Sequence, residues 1–337
     1  MLRNIQSQGS SEMASIFPPC DEKILKAIRE AESAIVIAHR NPDGDALYSS
    51  IAMAKILEKM GKEVLLLNEG PFLRDDIKYL EPLFKKEADA HFLESSPLVI
   101  ILDCSTQDRP GEPLKALMQL PRVVIDHHSS GIPFTDEGMS YIVPDSPSTT
   151  LLVDTIRQEL GIPLDKEIAD ALYRGFATDT GFYHFLSDKT APEALRKAAA
   201  FTEAGVSPYD VYDEMHDGKK LEDIQNTARI ITEAKSLLDG RLILAFQSKD
   251  KENARLSDGV YAALLESAGV KVVILIKEKE DALEIGFRSK NHSDIDCGAI
   301  ASTLGGGGHA RAAGATITGI KREDAEAMLI EMISKSL

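Results

Sequence analysis

The chain has 337 residues, and 38 Lys and Arg against 54 Asp and Glu leave it a formal net charge of −16, which excludes a protein that holds long nucleic acid by general electrostatic attraction. With 43% hydrophobic and 27% charged residues it has the make-up of a folded globular protein, long enough for two domains. No run of 18 apolar residues is present to make a membrane-spanning helix, so no membrane partner is expected.

The polar start, Met1–Ser15, lacks the apolar core of a secretory signal; residues 1–17 read as a disordered or loosely ordered tail, and the expected location is cytoplasmic. Beyond it, Ala34–Ala38, Val64–Leu67, Leu98–Leu102 and Val123–Ile125 are short continuous apolar runs that predict strands buried on both faces. Between the first two, Leu47, Ile51, Ala54 and Leu57 recur at helical spacing, with Gly61 as the stop. Helices are predicted over about Ser148–Leu160 and Asp165–Ala177. Buried strands alternating with helices imply an α/β fold with a doubly wound parallel sheet, here over residues 18–190. Residues 191–239 read as a helical connector, broken near Gly205–Pro208. Residues 240–337 read as a smaller α/β domain: strands at Leu242–Phe246, Val270–Ile276 and Leu283–Phe287 (the last two a hairpin), a helix near Asp296–Leu304, the run Gly305–Gly308, a strand near Ala315–Thr318 and a terminal amphipathic helix. Three cysteines, Cys20, Cys104 and Cys297, odd in number and far apart, argue against a disulfide framework or a structural zinc cluster.

The chemistry concentrates where the apolar runs end. The first runs into His39-Arg40-Asn41-Pro42-Asp43-Gly44-Asp45, the third into Asp103 and the fourth into Asp126-His127-His128. The carboxyl ends of parallel strands form the ligand crevice of an open sheet, so three segments deliver carboxylates and imidazoles to one rim. Carboxylates so gathered repel one another unless cations sit among them. Oxygen and imidazole donors without thiolate suit manganese or a similar divalent ion. His39 and Asp43 can reach one ion across the Pro-Asp-Gly turn, Asp45 can point to a second, and a carboxylate such as Asp103 can bridge the two, an arrangement that serves phosphoester hydrolysis. A lone Asp at a strand end is often only a helix N-cap, and Asp45 could cap the helix that follows; three loaded ends together argue for more. Asp179, just before the helix stop Gly181, opposes the helix dipole unless a cation offsets it.

With these residues assembled, the chain resembles the DHH/DHHA1 phosphoesterase family, in its small nanoRNase and pAp-phosphatase type, over about residues 20–335. The resemblance rests on His39-x3-Asp43-x-Asp45, Asp103, the triplet Asp126-His127-His128, Asp179-Thr180-Gly181 and Gly305-Gly306-Gly307-Gly308-His309. It implies an N-terminal DHH domain, a C-terminal DHHA1 domain and a cleft between them. It implies two manganese ions: His39 and Asp43 on one, Asp45 and His127 on the other, Asp103 bridging, Asp179 completing the set. His128 would face the scissile phosphate, the nucleophile would be metal-activated hydroxide, and Asp126 would orient a histidine through its ring N–H. The implied activity is 3′-to-5′ hydrolysis of very short oligoribonucleotides and removal of the 3′-phosphate of pAp; cyclic di-AMP or linear dinucleotides are the nearest alternative substrates, and family members often form homodimers. One departure is Ala46-Leu47-Tyr48-Ser49 where the family usually has a small residue, so that Tyr48 would crowd the helix start or touch substrate.

In the second domain the tetraglycine run follows a helix and leads to a strand, the reverse of a dinucleotide-binding loop. Gly306, Gly307 and Gly308 instead read as backbone open to an anion, with His309 and Arg288 adding charge and donors and Arg311 and Asn291-His292 as weaker candidates; in the first domain Arg109, following the Asp103 strand end, is a further candidate for a substrate phosphate. Cys104 reads as packing, since no general base is assigned to it. Polyphosphate hydrolysis fits the first domain but not the glycine-rich second. A rival of another class, a catalytically silent nucleic-acid-binding module like the related domain of alanyl-tRNA synthetase, would have no reason to keep six metal-type residues.

Overall fold

The structure, a computed structural model, describes residues 15–74, 76–104, 106–128, 134–217, 220–249, 256–290 and 293–337. The tail up to residue 14 and Asn291-His292 lie outside the described residues. The chain parts into two compact units, Met1–Asp217 and Gly218–Leu337.

The first unit runs α1 (Glu22–Glu30), β1 (Ser33–Ile37), α2 (Gly44–Lys59), β2 (Glu63–Leu67), a 3₁₀ turn (Lys78–Leu83), α3 (Ala90–Glu94), β3 (Leu98–Leu102), α4 (Glu112–Leu117), β4 (Arg122–Asp126), β5 (Ser140–Ile142), α5 (Thr149–Glu159), α6 (Lys166–Asp179), α7 (Ala191–Glu203) and α8 (Pro208–His216). Its five strands pair in parallel in the order β2-β1-β3-β4-β5. Alternation along β1 and β3 buries both faces: Ala34, Val36, Ile100 and Leu102 join one apolar cluster with α2, α5 and α6, while Ile35, Ile37, Val99 and Ile101 join another on the opposite side. The strand order reverses between β1 and β3, the point where an open sheet leaves a crevice at its carboxyl ends. β5 has only three residues, too short to show as an apolar run.

Three helices pack closely beside this crevice, at glycines. A Cβ on Gly44 would lie 2.4 Å from Thr178 Oγ1, and one on Gly175 would lie 2.3 Å from Thr150 Cγ2, so α2 meets α6 and α6 meets α5 backbone against side chain.

The second unit runs α9 (Leu221–Thr232), β6 (Lys235–Leu237), β7 (Leu242–Gln247), α10 (Leu256–Leu265), β8 (Val272–Glu278), β9 (Ala282–Ser289), α11 (Cys297–Thr303), β10 (Gly307–His309), β11 (Ala312–Thr318) and α12 (Arg322–Ser336). Its six-stranded sheet has the order β10-β11-β9-β8-β7-β6, antiparallel except for the β7–β8 pair. β8 and β9 form the expected hairpin. The helices placed in a connector over 191–239 are divided: α7 packs on α6 through Ala194, Ala198 and Phe201, whereas Ile230 of α9 joins a cluster with Ile243, Val260 and Val273 of the second unit. The end of that stretch, Lys235–Leu237, is an edge strand paired with β7.

Gly175→Ala should cost about 1–3 kcal/mol by overpacking α6 on α5, read as a lower melting temperature of the first unit. Wild-type stability would mean that the two helices separate without penalty.

Candidate metal centre

Four segments of the first unit deliver the cluster. His39 follows β1, Asp103 follows β3 with a left-handed backbone (φ 57°), His127 follows β4, and Asp179 is the last residue of α6 before Gly181 (φ 55°). An Asp tolerates positive φ better than most residues, and that bend sits directly after the buried strand. Asp103 Oδ2 lies 3.3 Å from His39 Nε2, and its Oδ1 lies 3.5 Å from His127 Nε2. The two oxygens of one carboxylate thus address two different histidines. Around the first, Asp43 Oδ2 is 3.9 Å from His39 Nε2; around the second, His127 Nε2 is 4.0 Å from Asp45 Oδ2 and 3.5 Å from Asp179 Oδ2. Donor atoms of His39, Asp43 and Asp103, and those of Asp45, His127 and Asp179, lie within 4.8 Å of one another in each set.

The residues fit divalent ions by their own chemistry. His39 Nδ1 is 2.9 Å from the Arg40 carbonyl and His127 Nδ1 is 3.1 Å from that of Ser146, contacts that place the ring proton on Nδ1 and leave Nε2 as the ligand atom. His39 Nε2 is buried without a hydrogen-bond partner among the described residues. A lone pair aimed at carboxylate oxygens is unfavourable unless a proton or a cation lies between them. Burial and then the Asp103 charge push Asp45 up to about 7, and burial followed by Asp45, Asp103 and Asp43 pushes Asp179 up to about 9. Burial alone would raise Asp103 too, but the imidazoles of His39, His127 and His128 beside it hold it below the usual carboxylate range. Burial works against protonation of His39 and His127, yet the facing carboxylates raise both.

Asp126, fully buried, accepts at Oδ1 from the His128 backbone N–H (3.1 Å) and lies 2.8 Å from His128 Nδ1. This hydrogen bond raises the His128 pKa and leaves Nε2 of a partly exposed imidazole available.

The helix cap falls differently from the reading that had Asp45 capping its own helix. Asp43 Oδ1 caps α2 through Ala46 N at 3.0 Å. Asp45 reaches across instead to the start of α5, accepting from Thr149 N (2.6 Å), Thr150 N (3.1 Å) and Thr150 Oγ1 (2.9 Å). Thr149 Oγ1 in turn donates to Asp103 Oδ1 at 2.9 Å. Asn68, 3% exposed at the end of β2, donates from Nδ2 to the His39 carbonyl (3.0 Å). Sequence reasoning missed Thr149, Thr150 and Asn68. The rule that found the other strand ends points to Asn68 as well, and Ser148-Thr149-Thr150 is a visible helix start.

Tyr48 does not crowd the helix start: it is buried in the apolar cluster and its hydroxyl bonds that of Tyr79. Cys104 is fully buried, and burial raises its thiol, as suits packing. Arg109 sits on the loop after β3, where its carbonyl accepts from Arg40 N at 2.8 Å.

The second unit holds a pocket of about 730 Å³ lined by Arg288, Tyr261 and Gly305–Gly308. The tetraglycine run is exposed throughout and lines this pocket. Gly305 N and Gly306 N bond the carbonyls of Ser302 and Ala301, closing α11, and Gly307–His309 is the edge strand β10. Two of them pack closely, since a Cβ on Gly306 would lie 2.1 Å from the Gly314 carbonyl and one on Gly308 2.5 Å from Ala313 Cα, whereas Gly305 and Gly307 face open space. His309 is exposed at the end of β10 and is not among the pocket's lining residues. Arg311 is also outside the lining; its Nη1 donates to the Ser293 and Ile295 carbonyls at 2.6 and 3.1 Å, a structural tie.

An open parallel sheet whose switch point gathers two His–Asp sets around one carboxylate is an α/β fold carrying the donor groups of a divalent-metal site. Residues 33–176 match the DHH family, N-terminal domain, and residues 239–335 match the DHHA1 domain; the chain belongs to the DHH/DHHA1 phosphoesterases. The bifunctional oligoribonuclease and PAP phosphatase NrnA of Thermus thermophilus is 28% identical over 322 residues, 94% of this chain and 93% of its own. The cyclic-di-AMP phosphodiesterase GdpP of Geobacillus thermodenitrificans is 24% identical across 92% of this chain, which spans 48% of that protein. An exopolyphosphatase-related protein from Bacteroides fragilis has the same fold, with a TM-score of 0.80 at 20% identity over 94% of this chain and 96% of its own. RecJ of Thermus thermophilus, solved in complex with Mn²⁺, superposes at 0.54 with 15% identity over 95% of this chain and 56% of its own. Among the described residues no helix is long and apolar enough to cross a membrane.

Two expectations follow. Without metal, Asp45 and Asp179 keep protons that an unfolded chain releases near pH 4, so stability should fall as pH rises through about 7 and 9. Saturating Mn²⁺ should remove that decline: the melting temperature of chelator-treated protein should drop between about pH 6 and 9 while that of the loaded protein holds. Parallel declines would count against the site. Thr149→Val, which removes a hydroxyl from Asp103, should weaken Mn²⁺ binding by about 10–100-fold in a calorimetric titration.

Proposed function

We propose that this phosphoesterase hydrolyses short oligoribonucleotides from the 3′ end and removes the 3′-phosphate of pAp, with two manganese ions held at the rim of the first unit. The observation that carries this reading is the Asp103 carboxylate with one oxygen on each histidine set, since a bridging ligand at that place is what a metal pair requires. His39, Asp43 and Asp103 would hold one ion, and Asp45, His127 and Asp179 would hold the other with Asp103 beside them. When bound, the ions supply Lewis-acid polarisation of a phosphoryl oxygen and a more acidic water.

The chain's own groups do the rest. Backbone amides of α5 and the hydroxyls of Thr149 and Thr150 fix the two innermost carboxylates, so they do not swing when charge develops on the phosphate. Asp126 holds His128 at Nδ1 and favours its protonated form, which presents a positive N–H donor to an anionic ester. Arg288 and the glycine-rich edge of the second unit bind the substrate's nucleotide end.

The length of the match favours the oligoribonuclease reading, because the chain spans nearly all of that relative and about half of the cyclic-di-AMP enzyme. Hydrolysis of cyclic or linear dinucleotides is the second reading, supported by that relative's shared first and second domains. A silent nucleic-acid-binding module fits poorly with two assembled donor sets around the buried Asp103.

Turnover of a linear diribonucleotide, pAp and cyclic di-AMP with Mn²⁺ tests the choice: the first two should be hydrolysed faster than the third. Asp103→Asn should lower kcat on every substrate by at least about 10³-fold, as several kcal/mol of transition-state stabilisation depend on the bridge. Appreciable residual rate would reject the bridging role.

A further inference from the structure

Directly after Asp179 the chain makes a costly turn. Gly181, Phe182 and Tyr183 stand one after another in the left-handed region, at φ 55°, 51° and 76°. Glycine takes that conformation freely, whereas a bulky side chain there is strained. The surroundings hold the turn in place. Thr180, buried, accepts at Oγ1 from Tyr183 N (3.2 Å) and donates to the Phe176 carbonyl (2.6 Å). The Tyr183 hydroxyl bonds that of Tyr173, and the Phe182 ring meets Tyr212 of α8 edge-on at 4.9 Å.

Phe182 and Tyr183 thus give their rings to packing, and the two residues that follow do not. His184 and Phe185 are exposed, Phe185 by 64%, and their rings meet edge to face at 4.9 Å. The turn folds Phe185 back: its amide bonds the Thr180 carbonyl at 3.0 Å, and its ring lies over Gly181, where a Cβ would come within 2.6 Å of it. Gly181 is two residues from Asp179, at most about 7 Å along the chain. An aromatic ring left mostly in water contributes little to the fold, so the strain that holds it here is better explained by a ligand.

The neighbouring chemistry says which ligand. A phosphoester at the donor sets of Asp179 and Asp103 is gripped only by its charged part, and the nucleoside joined to that phosphate lies one sugar away. The carboxylates of the cluster offer nothing to the flat face of a base. Phe185 offers an uncharged ring that stacks on any base, and His184 adds an imidazole edge beside it.

We propose that Phe185, flanked by His184, is a stacking platform for the nucleobase next to the scissile phosphate. The proposal rests on the phosphoesterase reading above and adds to it a base contact supplied by the first unit itself.

The test uses the full chain with Mn²⁺ and two substrates, 5′-phosphorylated diadenylate and its abasic analogue in which hydrogen replaces each adenine. Phe185→Ala should raise KM on diadenylate about ten-fold with kcat little changed, and leave KM on the abasic analogue unaltered. Phe185→Tyr, which keeps the ring, should restore the wild-type KM on diadenylate. An exposed ring adds little stability, so the melting temperature of Phe185→Ala should stay close to that of wild type. Equal KM changes on both substrates, or no change on either, would overturn the proposal. So would a fall in the particle mass of Phe185→Ala by light scattering with no substrate-selective change in KM, since the ring would then cover a second copy of the chain. Absence of wild-type turnover on both substrates would instead overturn the phosphoesterase reading beneath it.

Discussion

Mutual repulsion among carboxylates governs the first unit. Asp43, Asp45, Asp103 and Asp179 converge at the end of a sheet whose central strands are buried among apolar side chains, and around Asp45 and Asp103 water does little to screen them. Such a cluster persists only if each oxygen is given something positive. The chain supplies part of that from its backbone: the first amides of α2 go to Asp43 and those of α5 to Asp45, so the positive ends of two helices are aimed at the cluster. Imidazoles supply another part, and the share that remains is what divalent cations would take up.

The same economy explains why each of these side chains has two tasks. Asp43 is both a helix cap and a donor; Asp45 joins α2 to α5; Asp103 is gripped by Thr149. Close packing at Gly44 and Gly175 brings the helix backbones near enough for these short bonds to form. The geometry of the site is therefore set by how the helices meet behind it, and the loops that carry His39 and His127 are pinned at one ring nitrogen each.

Much of this was legible in the sequence, and unevenly. Apolar runs marked β1 to β4, and the residues immediately after three of them are the ones the fold brings together, because strand ends in a parallel sheet share one edge. β5, β6 and β10, three residues each, carry no periodicity, and β10 is made of glycine and His309. Partnerships across the chain were hidden for another reason: Asp45 lies 104 positions from Thr149, and no local pattern announces which helix an aspartate will cap. Asn68 escaped because it is neutral. The glycine run was visible; the closure of α11 by Gly305 and Gly306 and the contact of Gly308 with β11 were not.

The left-handed bend at Asp103 has an evolutionary consequence. That backbone conformation is open to asparagine and glycine and strained for most other side chains. Drift at this position is thus channelled toward replacements that keep the scaffold intact while discharging the shared ligand. Lineages that abandon the reaction can retain a sound fold, and decayed copies should carry asparagine or glycine here more often than chance would place them.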